Sequence, residues 1–267
     1  MRALFFLFIY INLFAFPQEQ LSPGGIAKLY FNERPDIYIN EKKVDVFSQK
    51  RENDWMVLLP LSLYKGPEML RVVAQTSNML QVHLISLKHP HYKEQHLHVK
   101  NKEFVIASKK TLERIERESA IKKVNFTRYT RLYVKDLKMI RPLDSALRHD
   151  FGRRRFFNGI AKSPHAGIDL SGKTGDKIKA PLSGTIIVLG ELFYNGNMVL
   201  IDHGQGLITA YSHLSKIYKP HETWVRQGEY IGEVGMTGRT TGPHLHWSVY
   251  LNGEPVNPDL FLEDASP

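Results

Sequence analysis

All but Gly24, Gly25 and Gly66 of the chain's 19 glycines fall after residue 150. Between them lie short β-type runs at 184–189, 198–201, 208–211, 230–234 and 246–251. Glycine supplies the positive-φ turns that join neighbouring antiparallel strands. Short strands cut by such turns predict a compact antiparallel β domain from about residue 141 onward.

The first part of the chain has a different texture. Runs at 26–31, 36–39, 55–59, 70–74 and 80–87 read as short strands, with Pro23-Gly24-Gly25 and Lys65-Gly66-Pro67 as turn signals. Strands at this spacing suggest a small β-sandwich. The period then changes at 109–124, where Leu112, Ile115, Ile121 and Val124 fall near one helical face among mixed charges. A connecting helix is expected there; Arg114, three residues after Thr111, argues against a capping box. The boundary between the two halves falls between residues 125 and 142. The expected organisation is a leader at 1–19, a small β domain at 20–100, a helical linker at 101–140 and the glycine-rich domain at 141–267. The fold class expected is therefore mainly β.

Composition narrows the chemistry. The chain has 267 residues, 42% hydrophobic and 24% charged, which is globular composition with room for one or two cores. Cysteine is absent. That excludes a disulfide scaffold, a Cys-ligated zinc finger, an iron–sulfur protein and a thiol nucleophile. Any metal must be held by His, Asp or Glu, so the twelve histidines come first. Residues 3–16 form an apolar run behind Arg2, of signal-peptide length and short of the roughly 20 residues of a spanning helix. The run lacks a small-x-small cleavage pair, so the alternatives are a cleaved signal and an uncleaved membrane anchor. In both, the body of the protein is exported. The net charge of +9 suits an anionic partner or simple solubility. Export, and the lack of a dense basic run interleaved with aromatics, argue against nucleic acid. The largest basic cluster is Arg153-Arg154-Arg155-Phe156-Phe157.

Three histidine motifs lie in the glycine-rich half: His165-Ala-Gly-Ile-Asp169, Tyr211-Ser-His213-Leu214 and Gly242-Pro-His244-Leu-His246-Trp247. On a strand, His244 and His246 would share one face, roughly 6.5–7 Å apart. Either both bind a metal, or one binds while the other waits beside its open position. Gly167 allows a turn that brings His165 and Asp169 to one point. A His, an Asp and a His would leave a fourth tetrahedral position for water, the pattern of a catalytic zinc. The cluster His89, His91, His96 and His98 also holds HxH twice. With no carboxylate–glycine context it reads as alternating side chains of an exposed strand or hairpin rather than a metal site.

The segment from about 141 to 260 resembles the lysostaphin/LytM type of zinc metallopeptidase. The resemblance rests on Phe151-Gly-Arg-Arg154, His165-Ala-Gly-Ile-Asp-Leu170, Ala180-Pro-Leu-Ser-Gly-Thr185, Tyr211-Ser-His-Leu214 and Gly235-Met-Thr-Gly-Arg-Thr-Thr-Gly-Pro-His-Leu-His246. It implies one zinc ion held by His165, Asp169 and His246. It implies His213 and His244 as catalytic histidines that activate water or stabilise the oxyanion. Arg154 would bind a substrate carboxylate or pin its loop, and His203, in Asp202-His-Gly-Gln-Gly206, would be structural. The small β domain would correspond to the Ig-like domain that precedes the catalytic part in some exported members. That domain, or the helix, could shield the cleft.

The resemblance further implies an exported endopeptidase that cuts peptide cross-links of peptidoglycan. A D-Ala–diaminopimelate type of bond in a Gram-negative periplasm is expected, with peptidoglycan peptides as partner and the N-terminus as a transient membrane anchor. Two other classes stand beside it: a non-catalytic regulator of another cell-wall hydrolase, and a peptidase acting on proteins. Degenerate regulators usually lack metal ligands, and here none is missing.

Overall fold

The computed structural model describes residues 16–64, 68–88 and 90–263. The apolar run up to residue 15, the Lys65-Gly66-Pro67 turn and His89 lie outside the described residues. Among the described residues, no helix is long and apolar enough to cross a membrane.

The expected strands of the first half form with small shifts at their ends, and two more join them. They are β1 (Ile26–Phe31), β2 (Asp36–Ile39), β3 (Lys42–Val44), β4 (Phe47–Lys50), β5 (Trp55–Pro60), β6 (Met69–Gln75) and β7 (Leu80–Ser86). Strands β1, β5 and β4 form one antiparallel sheet, and β3, β2, β6 and β7 form another, in those orders. Ala27, Phe31, Val57 and Leu59 from the first sheet close on Ile37, Val72, Ala74 and Ile85 from the second. This is a sandwich of two antiparallel sheets.

Strand β5 reads Trp-Met-Val-Leu-Leu-Pro without alternation, because both of its faces are covered. Val57 and Leu59 point into the sandwich. Met56 and Leu58, with Ile26, Phe47 and Leu63, enter a second core that includes Leu137, Ile168, Tyr211, Trp247 and Phe261. One hydrophobic core thus runs from the first half of the chain into the last.

Between the halves lie β8 (Glu94–Leu97), a 3-10 turn at Lys102–Phe104 and α1 (Lys109–Phe126). Ser108 caps α1, its hydroxyl accepting from the Thr111 amide at 3.4 Å. The expected apolar helix face is not the packed one: Leu112, Ile121 and Val124 are exposed. The inward face is polar because it rests on a hairpin tip whose backbone groups need partners. Arg114 donates to the Glu191 carbonyl, Glu118 accepts from the Phe193 amide and Lys122 donates to Asn195 Oδ1. Phe126 alone stacks on an aromatic ring, that of Tyr250, at 3.8 Å.

The glycine-rich half continues with β9 (Arg154–Phe157), β10 (Ile160–Ala161), β11 (Ile168–Ser171), β12 (Lys177–Lys179), β13 (Gly184–Leu192) and β14 (Gly196–Gly204). After these come β15 (Leu207–Leu214), β16 (Lys216–Ile217), β17 (Trp224–Val225), β18 (Tyr230–Glu233), β19 (His244–Leu251) and β20 (Glu254–Val256). The main sheet runs β11-β19-β15-β14-β13-β17, with β20 also on β19, and β12, β18 and β16 form a smaller sheet. All these pairs are antiparallel, so the chain is mainly β, as the glycine pattern predicts. The exception is β8, which lies parallel to β9.

Candidate active site

The register of three strands builds the site. Asp169 on β11 pairs with His246 on β19, and His246 pairs with Ser212 on β15. Residues opposite one another in a sheet share a face, and successive residues alternate. Leu245, Trp247 and Val249 therefore enter the core, each fully buried. His244 and His246 emerge together on the other face beside Asp169.

His165 reaches the same point from the residues just before β11. Its Nδ1 donates to the Asp150 carbonyl at 3.0 Å, and the Asp150 carboxylate accepts the Asp169 amide at 3.1 Å. One buried aspartate thus fixes both ends of the HxxxD motif. Gly167, between them, is not in the left-handed region. It is glycine because a Cβ there would stand 2.4 Å from Ser248 Oγ and from the Trp247 carbonyl oxygen. The demand is for space against β19, not for a turn.

Three donor atoms converge. His165 Nε2 lies 2.9 Å from His246 Nδ1, and Asp169 Oδ1 lies 3.2 Å from the first and 2.9 Å from the second. Lone pairs this close need a shared proton or cation. Each imidazole has its other nitrogen held, His165 by Asp150 and His246 by the Ser248 hydroxyl at 3.0 Å. Such outer contacts fix which nitrogen faces a metal. Among the described residues this is the group of His, Asp and Glu side chains that could hold a metal ion.

Two further histidines line the site. His213 sits at φ 69, where β15 slips register against β14 between Asn197 and Val199. The bulge turns its side chain out of the strand's alternation and toward the donors. His213 Nδ1 donates to the Thr237 carbonyl at 2.8 Å, and its amide donates to the Asn195 carbonyl at 2.8 Å. His244 Nδ1 donates to the Gly242 carbonyl at 2.9 Å, leaving Nε2 at 3.8 Å from Asp169. The His213 and His244 rings are 4.9 Å apart.

The electrostatics follow from burial and partners. Burial pushes His213 down to about 3, helped by the neighbouring His246 and His244. Burial likewise brings His246 down to about 4 against the opposing Asp169. Burial also resists ionisation of Asp169, but hydrogen bonds from His165 and His246 outweigh it and hold the carboxyl well below the usual range. For His165, burial is outweighed by Asp150 and Asp169, and its pKa is raised.

The sequence motifs thus bring His165, Asp169, His213, His244 and His246 to one place. Arg154 stands apart: it is exposed and pairs with Glu94 at 3.2 Å. Its neighbour Arg155 reaches the donors instead, with Nη2 at 3.1 Å from Asp169 Oδ2. His203 is buried between the Ser183 carbonyl and the Thr209 hydroxyl, each at 2.8 Å, away from the donors. His96 lies on β8, stacked on Phe156 at 4.7 Å. Sequence alone does not mark Asp150, Asn195 or Thr237 as site residues, and marks Arg155 only as part of a basic cluster. Asp150 and Arg155 flank the Phe151-Gly-Arg-Arg154 motif, which was the available signal.

The segment around β8 also touches the loops beside the site. Phe104 packs on Phe193 at 5.0 Å, its carbonyl accepts from Arg239, and the Val105 carbonyl accepts from Lys162. Arg239 is sandwiched between Phe157 and Tyr194.

A His–Asp–His donor group with two attendant histidines on an antiparallel sheet is the apparatus of a metal-dependent hydrolase. Residues 163–258 match the model of Peptidase family M23, and that segment of the chain carries a peptidase domain of the family. The DD-carboxypeptidase/endopeptidase Mpg of Neisseria meningitidis is 47% identical over 94 residues, 35% of this chain and 22% of the relative. The peptidoglycan DD-endopeptidase ShyA of Vibrio cholerae is 38% identical over 119 residues, 43% of this chain and 28% of the relative. The alignments thus take in about a quarter of the length of these curated relatives. A Pseudomonas aeruginosa crystal structure assigned to peptidase M23 superposes with a TM-score of 0.73 at 29% identity, covering 92% of this chain and 96% of that one.

Proposed function

We propose that the protein is an exported zinc-dependent endopeptidase that hydrolyses peptide cross-links of peptidoglycan, of the D-Ala–diaminopimelate type, in the periplasm or cell envelope. The observation that carries this reading is the convergence of His165 Nε2, Asp169 Oδ1 and His246 Nδ1 beside two further histidines. Those three atoms would be the ligands, and the donor set suits zinc, which takes nitrogen and oxygen donors and keeps a position open in catalytic sites. Zinc held there would supply Lewis acidity, acidifying a water to a pKa of about 7 and polarising the scissile carbonyl.

The remaining chemistry belongs to the chain. His213 and His244 each donate Nδ1–H to a backbone carbonyl, so the neutral ring keeps an unprotonated Nε2. In that tautomer Nε2 takes the proton of the attacking water and later gives it to the departing amine. Arg154, exposed on β9, can exchange its Glu94 partner for a substrate carboxylate, because an exposed ion pair contributes little. In this reading residues 141–267 carry the chemistry, with 20–100 as a small Ig-like domain and 101–140 as linker. The first 19 residues direct export, as a cleaved signal or an anchor. The similarity to a peptidoglycan DD-endopeptidase of Vibrio cholerae supports the substrate class.

The test is digestion of purified peptidoglycan followed by mass spectrometry of the muropeptides, beside a panel of proteins. New amino and carboxyl termini at cross-links, lost with EDTA and restored by zinc, are expected. Unaltered muropeptides with zinc-loaded protein would overturn the reading, and cleavage confined to the protein panel would redirect it.

A further inference from the structure

The geometry points to Arg155 as a positioning residue that aims Asp169 at the metal, itself held by Gln95 from β8. This inference rests on the zinc reading of the site. The two carboxylate oxygens of Asp169 have separate duties. Oδ1 faces His246 at 2.9 Å, His165 at 3.2 Å and His244 at 3.8 Å. Oδ2 receives Arg155 Nη2 at 3.1 Å. A carboxylate with one oxygen already hydrogen-bonded offers a metal the other, in one orientation.

Arg155 is well placed to enforce that. Its side chain is 19% exposed and that of Asp169 is 11% exposed, so water competes weakly for either. The guanidinium is planar and stays charged, so a second contact fixes the direction of the first. That second contact is Nε donating to Gln95 Oε1 at 3.2 Å. Gln95 pairs with Arg155 in the parallel register of β8 on β9. Among the described residues Gln95 bonds Arg155 and no donor atom, so its influence on the metal passes through the arginine. Arg154, one residue away, points off the site to Glu94.

Outer partners of ligands typically shift metal affinity about 10–100-fold when removed. The experiment measures zinc affinity of the full-length, metal-stripped protein by chelator competition, with the cobalt-substituted absorption spectrum as a second readout. Arg155→Met is expected to weaken zinc binding about 10–100-fold and to alter the cobalt spectrum. Arg155→Lys keeps the charge but cannot grip Gln95 and Asp169 together, so it should fall between. Gln95→Ala should weaken binding by a smaller step. The double variant Gln95→Ala, Arg155→Met should be no weaker than Arg155→Met alone, because both act through one contact. Arg154→Met should bind zinc as the unaltered protein does.

Wild-type affinity and spectrum in Arg155→Met would overturn the inference, as would additive effects of the two substitutions. If Arg155→Met does not fold, the Arg155→Lys and Gln95→Ala pair decides by the same criteria. Failure of the unaltered protein to take up stoichiometric zinc would instead strike the zinc reading, so the two failures are distinct.

Discussion

Gly167→Ala puts the packing argument to its hardest test, because it adds a single methyl group beside the donors. An alanine Cβ at this position would stand 2.4 Å from Ser248 Oγ and 2.4 Å from the Trp247 carbonyl oxygen, with His246 Cε1 at 3.0 Å. Ordinary contact begins at 3.4 Å, so the residues must separate by about 1 Å. The Trp247 carbonyl is backbone and cannot rotate away, so β11 must move from β19 at the pair that holds Asp169 against His246. Overpacking of this kind costs about 1–3 kcal/mol. Metal sites tolerate roughly ±0.2 Å in ligand distance, so the same shift should reduce zinc affinity by about 10-fold or more. Urea unfolding of the metal-stripped protein gives the first quantity and chelator competition the second. Gly242→Ala is the control: nothing lies within 4 Å of its Cβ and its φ is ordinary, so it should change stability by no more than about 0.5 kcal/mol. A Gly167→Ala protein as stable as the parent, with unchanged zinc affinity, would refute the claim that space against β19 dictates this glycine.

His165→Ala, Asp169→Ala and His246→Ala should lose zinc, whereas His213→Ala and His244→Ala should keep it and lose most turnover; zinc retained by His246→Ala but not by His244→Ala would invert the assignment. Burial holds His203 down at about 4 in the folded chain, against about 6.5 unfolded, so the unfolded state binds more protons between those values. Its contribution is present above pH 6.5 and is lost as pH falls toward 4, about 3 kcal/mol in all. Urea stability of His203→Gln should fall less steeply across that window, and parallel slopes would contradict this. Met56→Ala, in the core common to both halves, should cost about 2–5 kcal/mol. Tryptophan fluorescence and circular dichroism should still report one transition; a shift of the first half alone would argue against a common core.

The histidine motifs were legible because strand alternation converts spacing directly into a shared face, which is how His244 and His246 emerge together. Strands β1, β2, β5, β6 and β7 were legible through apolar runs between turns. Strands β3 and β4 were not, since Lys-Lys-Val and Phe-Ser-Gln-Lys carry too little apolar pattern. The helix misled because Leu112, Ile121 and Val124 face out while Arg114 and Glu118 serve the backbone of a hairpin tip. Arg154 and Arg155 could not be told apart for a related reason. Neighbours on a strand point to opposite faces, and which face meets Asp169 depends on where β9 lies. The reason for Gly167 was likewise tertiary: nothing local reveals that β19 passes against it.

The span by which this peptidase domain is recognised, 163–258, is smaller than the device that works. Asp150, which grips both His165 and Asp169, lies upstream of it, as does Arg155. Leu260, Phe261 and Leu262, sealing the core beneath the sheet, lie downstream. A graft cut to those bounds would transplant every donor atom and abandon Asp150 and Arg155, which aim His165 and Asp169. The transferable unit is set by hydrogen bonds to the ligands, and it begins before the first recognisable motif.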